Sequence, residues 1–477
     1  MTESKKSDNS INSVIDNNYC IGCGTCAVIN ESPFKIITTK YGNYQATITK
    51  SPTLDQSLKA GMVCPFSNIA DNENAISDEL YKSIHKHDKI GRYIATYSGY
   101  VIDGDFRYNG SSGGLVTWLL ETLLVNGNVD GVVHVGETAQ GKELFEYKIS
   151  RTISDIRAGA KSKYYPVTLT NVIREVKNKP GNYVFTGVPC FIKAIRLLAK
   201  EDGEFGESVA FCVGLICGHI KSRGFSEFLA WQMGINPSEL VDFDFRVKIK
   251  NNPSNKYGVK ASGIKNLKEI VREKDISELY GNDWGMGLFK LKPCDYCDDV
   301  VAETADITIG DAWLPEYLND SRGTNIVITR NKKINKILER SVENKKIHLK
   351  KIDANQVVQS QGSGFNHRRD GLAYRLFYQD VNNNWRPYKR VQPKHAVTNN
   401  RFENKHRLRM QLSELSHSAF YEAKSNNRLK IFFDQVAPIA LKYKNNERSM
   451  LKSVLATIKY YVMSDKKITS AIKNSEQ

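Results

Sequence analysis

At 477 residues, with 40% hydrophobic, 10% aromatic and 25% charged positions, the chain suits two to four folded domains and is too apolar to be disordered overall. Its net charge of +16 is lopsided: residues 367–477 hold 22 Lys/Arg against 9 Asp/Glu, leaving only +3 for the remainder. No run of about 18 apolar residues occurs, which excludes a helical membrane span, and the polar start MTESKKSDNSINSVIDNN predicts no secretory leader, so a cytoplasmic location is expected.

Residues 1–17 read as disordered. Residues 18–70 read as a small cysteine-bearing α+β module, ferredoxin-like, and a charged connector, SDELYKSIHKHDK, follows to about residue 89. In the module, Cys20-Ile-Gly-Cys23-Gly-Thr-Cys26 is answered much later by Cys64-Pro65. A two-cluster bacterial ferredoxin repeats C-x2-C-x2-C-x3-C-P, each motif lending its last cysteine to the other cluster. Here that last position of the first motif is Asn30, and only Cys64-Pro65 survives of a second. One 4Fe–4S cluster thus keeps four ligands (Cys20, Cys23, Cys26, Cys64) and the other is lost. Gly22 and Gly24 let the loop turn tightly and aim backbone N–H groups at sulfide. A zinc knuckle is the alternative, but it favours paired C-x2-C units.

From about residue 90 to 330, apolar strand patterns alternate with helical ones, predicting an α/β body. YSGYVI (98–103), GVVHVG (131–136), NYVFTGV (182–188), SVAFCVGLIC (208–217) and DITIGD (306–311) read as buried strands. LVTWLLETLLV, FIKAIRLLAK and GFSEFLAWQMG read as helices. Two domain parts are expected, 90–175 and 176–365, followed by a basic helical extension, 366–477. In that extension MQLSELSHSAFYEA, LKIFFDQVAPIALKY and MLKSVLATIKYYVM carry apolar residues at helical spacing. These helices either pack onto the body or make peripheral contact with the inner membrane face.

Five more cysteines fall in the body. Cys294-Asp-Tyr-Cys297 is a C-x2-C pair, while Cys190 and Cys217 each follow a strand. Strand ends in an open α/β sheet share a crevice, so these four can converge on a second 4Fe–4S cluster. Spacing alone leaves Cys212 as a rival to Cys217, and leaves buried thiols as the plain alternative. Gly110-Ser111-Ser112-Gly113-Gly114 precedes a helix that Ser111 or Ser112 can cap, a ready anion site. Lys161, Ser162 and Lys163 beside Tyr164 suit a phosphorylated aromatic cofactor or an anionic substrate, and otherwise a surface loop. His219, Lys221 and Arg223 follow Cys217, and GDAW (310–313) ends a strand at the same crevice.

The ordered segments RYNGSSGG, GAKSKYYPV, TGVPCFIKAIRLL, LICGHIKS, FDFRVK, KPCDYCDD and ADITIGDAW together resemble the beta subunit of coenzyme F420 hydrogenase/dehydrogenase, with a ferredoxin module attached. The resemblance covers roughly residues 18–365. It implies an iron–sulfur flavoprotein oxidoreductase that passes electrons between clusters and FAD. It also implies a body cluster on Cys190, Cys217, Cys294 and Cys297. Flavin contacts would come from Ser112, Gly113, Gly114, Lys161, Ser162 and Lys163. Plant 7-hydroxymethyl chlorophyll reductases look like relatives. Some bacterial members look like accessory proteins of polysaccharide biosynthesis, whose basic extension is similar to this one.

Partners implied are a ferredoxin-like electron donor or acceptor and a small-molecule or glycan-precursor substrate, with no nucleic acid. Two departures leave the substrate, deazaflavin included, open: Gly218 separates Cys217 from His219, and Phe191 follows Cys190. No catalytic acid or base stands out. The rival functions are an electron-transfer subunit with no substrate site of its own, or a zinc-stabilised basic protein that binds nucleic acid.

Overall fold

The computed structural model describes residues 11–138, 143–395, 400–446 and 466–476. At its centre is an eight-stranded mixed sheet. Across it run Ile347–Lys351, Ala95–Val101, Asn325–Thr329, Ile307–Asp311, Val209–Leu215, Tyr183–Gly187, Gly131–Glu137 and Phe145–Ser150. The four strands beginning at Ile307, Val209, Tyr183 and Gly131 are mutually parallel; the pairings toward both edges are antiparallel. Tyr183–Gly187 and Asn325–Thr329 are buried at every residue, as strands covered on both faces must be; the first reads as a buried strand from its sequence, and the second is not singled out there. Helices Leu115–Val125 and Lys332–Glu343 bury their apolar positions against one face of the sheet. Helix Pro189–Glu201 starts on proline, whose missing N–H costs nothing in the first turn, and buries Phe191, Ile192, Ile195 and Leu198 against the other.

Because the central strands are parallel, their C-terminal ends lie on one edge. Val188–Cys190, Ile216–Cys217 and Asp311–Trp313 leave the sheet there. A separate antiparallel sheet, Leu240–Val247, Gly258–Lys265 and Lys268–Asp275, was not legible as strands in the charged sequence of that region.

The N-terminal segment departs from expectation. Disorder does not hold over residues 11–17: Ile11–Asp16 is a helix with Ile11 and Val14 buried. Residues 1–10 lie outside the described residues. The hairpin Phe34–Thr38/Tyr44–Ile48 and the helix Leu54–Met62, with a Thr53/Gln56 capping box, complete the cysteine-bearing segment. The connector is also structured, as helix Glu73–Leu80 and the hairpin His85–His87/Gly91–Tyr93, because Ile76 and Tyr81 find burial against the body. This segment shares one apolar core with the body: Ile11, Val14, Tyr19 and Phe66 pack with Leu169, Val172, Phe185 and Phe191. Tyr19 meets Tyr296 edge-on at 5.0 Å and Trp385 at 5.4 Å.

Past residue 365, helix Asp370–Val381 is followed by two longer ones, Asn400–Ser425 and Lys430–Asn446, joined through residues 426–429. Their Leu412, Phe420, Phe432 and Phe433 enter a core with Phe228, Trp231 and Phe289. The apolar faces of these two helices are therefore spent on packing, so membrane contact through them would rest on charge alone. The stretch MLKSVLATIKYYVM lies outside the described residues. Among those described, no helix is long and apolar enough to cross a membrane.

Candidate functional site

The first cysteine set forms around a tight loop. Gly22 and Gly24 take φ of 70° and 94°, and a Cβ on Gly24 would lie 2.3 Å from Thr170 Oγ1. Only glycine satisfies both the left-handed backbone and the close approach of the body. The N–H groups of Gly22 and Ala46 donate to Cys20 Sγ at 3.4 and 3.3 Å. Cys20, Cys23, Cys26 and Cys64 line one small void with Thr25, Pro65 and Phe66, and Cys26 is within electrostatic reach of the other three. Burial pushes the Cys20 thiol up to about 11 and that of Cys64 to about 12. Thiols so placed stay protonated unless a metal replaces the proton, so the donors, the N–H groups and the enclosed space fit an iron–sulfur cluster.

The second set comes from three places in the chain. Cys190 lies at the start of helix Pro189–Glu201, Cys217 just past strand Val209–Leu215, and Cys294 and Cys297 at the 3-10 turn Lys292–Tyr296. Cys190 is within electrostatic reach of Cys297, Cys217 and Cys294. Ile220 N–H donates to Cys294 Sγ at 3.2 Å. Arg368 is buried among these thiols, feels Cys297, Cys217 and Cys294, and donates to the carbonyls of Cys217 and Gly218 at 2.9 and 2.7 Å. Cys212 is elsewhere: its charged neighbours are Arg196 and Asp306. A buried guanidinium among four thiols suits a group that carries negative charge. Among the described residues, no three His, Cys, Asp or Glu side chains converge tightly enough for a single metal ion.

The two sets adjoin. Cys190 is within electrostatic reach of Cys23 as well as of its own set, and the Tyr147 phenol is raised by burial and then by both Cys190 and Cys23. Leu169 N–H donates to the Cys23 carbonyl at 2.9 Å, seating the first set on the body.

Cys217 also lines a cavity of about 1400 Å³ at the sheet's C-terminal edge. That exceeds the roughly 300–1,000 Å³ of ordinary small-molecule sites. Tyr164, Trp284 and Trp313 supply aromatic faces, and Gly310 and Asp311 of GDAW reach it as expected. Of the residues expected to meet a flavin, Ser112, Gly114, Lys161, Ser162 and Lys163 line the cavity. Gly113 is not among the lining residues; it packs on the strands, where a Cβ would lie 2.6 Å from Asn325 Oδ1.

Neither serine caps the following helix. Gly114 holds the cap position at φ 83°, Asn325 Oδ1 accepts from Leu115 N–H at 3.2 Å, Ser111 Oγ accepts from Ser162 N–H at 2.8 Å, and Ser112 Oγ donates to the Thr324 carbonyl at 2.8 Å. A helix start seated on a neighbouring strand needs no local cap. The lysines are engaged too: Lys161 pairs with Asp244 at 2.5 Å, and Lys163 donates to the carbonyls of Gly159 and Ala160. Burial lowers Lys163 to about 8.

Sequence reading missed Arg246, which pairs with Asp311 at 3.3 Å and donates to Tyr164 Oη at 3.2 Å; against burial, Asp311 and Tyr164 hold it charged. It missed the contribution of the extension as well: Phe402, Lys405, His406 and Arg409 all line the cavity. His219 faces the same space, 4.6 Å from Trp284 ring to ring. Burial, followed by Lys221, Lys290, Arg368 and Arg409, keeps it neutral.

Comparison with known proteins accounts for this body. The beta-subunit profiles of coenzyme F420 hydrogenase/dehydrogenase match residues 96–174 with their N-terminal part and 181–355 with their C-terminal part. The chain belongs to this family.

The coenzyme F420-dependent sulfite reductase of Methanocaldococcus jannaschii is 25% identical over 365 residues, covering 72% of this chain and 49% of the relative. The chain thus spans about half the length of that protein. The coenzyme F420 hydrogenase subunit beta of Methanothermobacter thermautotrophicus is 25% identical over 267 residues, 53% of this chain and 83% of the relative. A chain from the F420-reducing [NiFe] hydrogenase complex of Methanosarcina barkeri overlays with a TM-score of 0.48 at 18% identity, covering 64% of this chain and 99% of that one. The family is one of oxidoreductases; Cys190, Cys217, Cys294 and Cys297 lie within the matched residues, and Cys20, Cys23, Cys26 and Cys64 lie before them.

Proposed function

We propose that the chain is an iron–sulfur flavoprotein oxidoreductase with 4Fe–4S clusters on Cys20/Cys23/Cys26/Cys64 and Cys190/Cys217/Cys294/Cys297 and FAD in the large cavity. The observation that carries this is continuity: Cys190 is within electrostatic reach of Cys23 as well as of the rest of its own set, Leu169 N–H on the body donates to the Cys23 carbonyl at 2.9 Å, and Cys217 is also cavity wall. When bound, such clusters exchange single electrons and a flavin joins two of them into hydride chemistry.

The protein's own groups suit those tasks. Gly22, Ala46 and Ile220 N–H groups point at ligand sulfurs. Arg368 offsets negative charge in the second set. Tyr164 and Trp284 give apolar surface for a planar ring, and the ion-paired Arg246 and Lys161 fix polar groups at the cavity wall. The N-terminal set is the point of electron arrival and the cavity is the site of chemistry. Anaerobic purification tests the reading: a brown protein with iron, acid-labile sulfide and extractable FAD is expected. A colourless protein holding only zinc would overturn it.

A second reading is an electron-transfer subunit without a substrate of its own, favoured by the hydrogenase relatives being named as subunits. Reduction of a small-molecule acceptor by the purified chain with an artificial donor would reject it.

A further inference from the structure

The cavity wall holds a guanidinium that the cluster and flavin reading does not use, Arg409. It lines the cavity with Arg368, which also serves the second cysteine set, and both act electrostatically on His219 and on His367. Nearby cations are already committed: Lys290 pairs with Asp295 at 2.5 Å, Arg375 donates to the carbonyls of Asp295 and His367 at 2.7 Å each, and Lys221 donates to the Leu288 carbonyl at 2.5 Å. Arg409 differs. It makes no ion pair among the described residues, and its Nε is buried without a hydrogen-bond partner. Arg368, only 2% exposed, likewise leaves Nε without one. Two guanidinium groups with unmet donors in one cavity wall are costly unless a ligand accepts from them. Asp275, Asp283, Asp311 and Asp370 also line the cavity, but among the described residues none of them pairs with these arginines, and Asp311 pairs with Arg246.

Arg409 stands on helix Asn400–Ser425, beyond the last residue matched by the family profiles. The helix is fixed there: Ser413 Oγ donates to the Lys290 carbonyl and Ser416 Oγ accepts from Phe289 N–H, both at 2.7 Å. Arg409 is thus a rigidly presented addition to the shared site rather than part of a loose tail.

We propose that Arg409, together with Arg368, holds an anionic group, a carboxylate or a phosphate, of a substrate bound in this cavity beside His219. The proposal rests on the flavin reading only in assigning the rest of the space to a second molecule. A planar guanidinium fork suits either anion, and a lysine would lose the paired geometry.

The test uses the full chain, purified anaerobically with its iron and flavin contents measured. Inorganic phosphate and succinate are titrated separately by calorimetry. At least one should bind the wild type; Arg409→Gln should weaken that binding roughly tenfold or more, with iron and flavin contents unchanged. Whichever probe responds assigns the source of the anion. Arg409→Lys should restore part of the affinity, and should it be the only variant to fold, weakened binding by it serves as the same readout. The proposal is overturned if neither probe binds the wild type, if binding survives substitution unchanged, or if Arg409→Gln sheds flavin, which would make the arginine a cofactor residue. A wild type without flavin that still binds a probe through Arg409 would overturn the flavin reading and keep the anion site.

Discussion

Tyr147 Oη donates to the Thr186 carbonyl at 3.0 Å, and this bond pins a ring that lies beside both Cys23 and Cys190. The ring also stacks on Phe191, with centroids 5.9 Å apart, next to Cys190 in the chain. Tyr147→Phe should keep the packing and lose about 1 kcal/mol of stability. Tyr147→Ala should lose about 3–5 kcal/mol and loosen the contact between the two sets. Thermal midpoints read the first effect; the rate at which the second set is reduced through the first reads the other.

Replacing single cysteines should separate ligands from core. Cys217→Ser is expected to remove about half the iron, and Cys212→Ala to remove none, since Cys212 sits with Arg196 and Asp306. Iron and sulfide assays on both proteins check this.

Gly24→Ala should abolish the first cluster and spare the second. A left-handed backbone at φ 94° costs about 1–2 kcal/mol for any residue with a Cβ, and here the Cβ also collides with Thr170 and Thr168 hydroxyls at 2.3 and 2.6 Å. The expected spectrum of the reduced variant contains the signal of one cluster in place of two.

Stability should fall in mild acid. His417 shares a hydrogen bond with Ser222 Oγ at 3.2 Å and donates to the Lys290 carbonyl at 3.1 Å. Burial, with Lys221 adding to it, lowers the residue to about 4 despite the opposing Lys290 bond. Between about 6.5 and 4 the unfolded chain binds a proton that the folded chain does not, so stability drops as pH falls through that window and levels off below it. The contribution is roughly 3 kcal/mol at most. The unfolding midpoint of His417→Gln should therefore vary less with pH over that window than the wild type's.

What the sequence made legible was whatever one local rule governs. Buried parallel strands announce themselves as apolar runs, so Tyr183–Gly187 and Ile307–Asp311 stood out. The cysteine spacing and Gly22/Gly24 pointed to a tight loop for the same reason. What stayed hidden depended on partners distant in the chain. Leu115 N–H is met by Asn325, 210 residues away, so a cap expected from Ser111 or Ser112 was not needed. Arg246 and Arg409 carried no individual signal in the sequence, because only folding sets them against the cavity. Residues 268–275, KEIVREKD, carry too many charges to read as a strand, yet pair along their whole length because one face is left to solvent.

The core that joins Phe228 and Phe289 to Phe420 and Phe432 has a practical corollary. Phe228 and Phe432 approach to 4.4 Å, and Phe289 stacks on Phe432 at 5.7 Å, so the family boundary at residue 355 is not a folding boundary. A truncated protein ending there would lay bare a continuous aromatic face and open one side of the cavity, and it would aggregate on expression. In this chain the extension and the body it packs against fold as one unit, and neither can be excised without exposing the other's core.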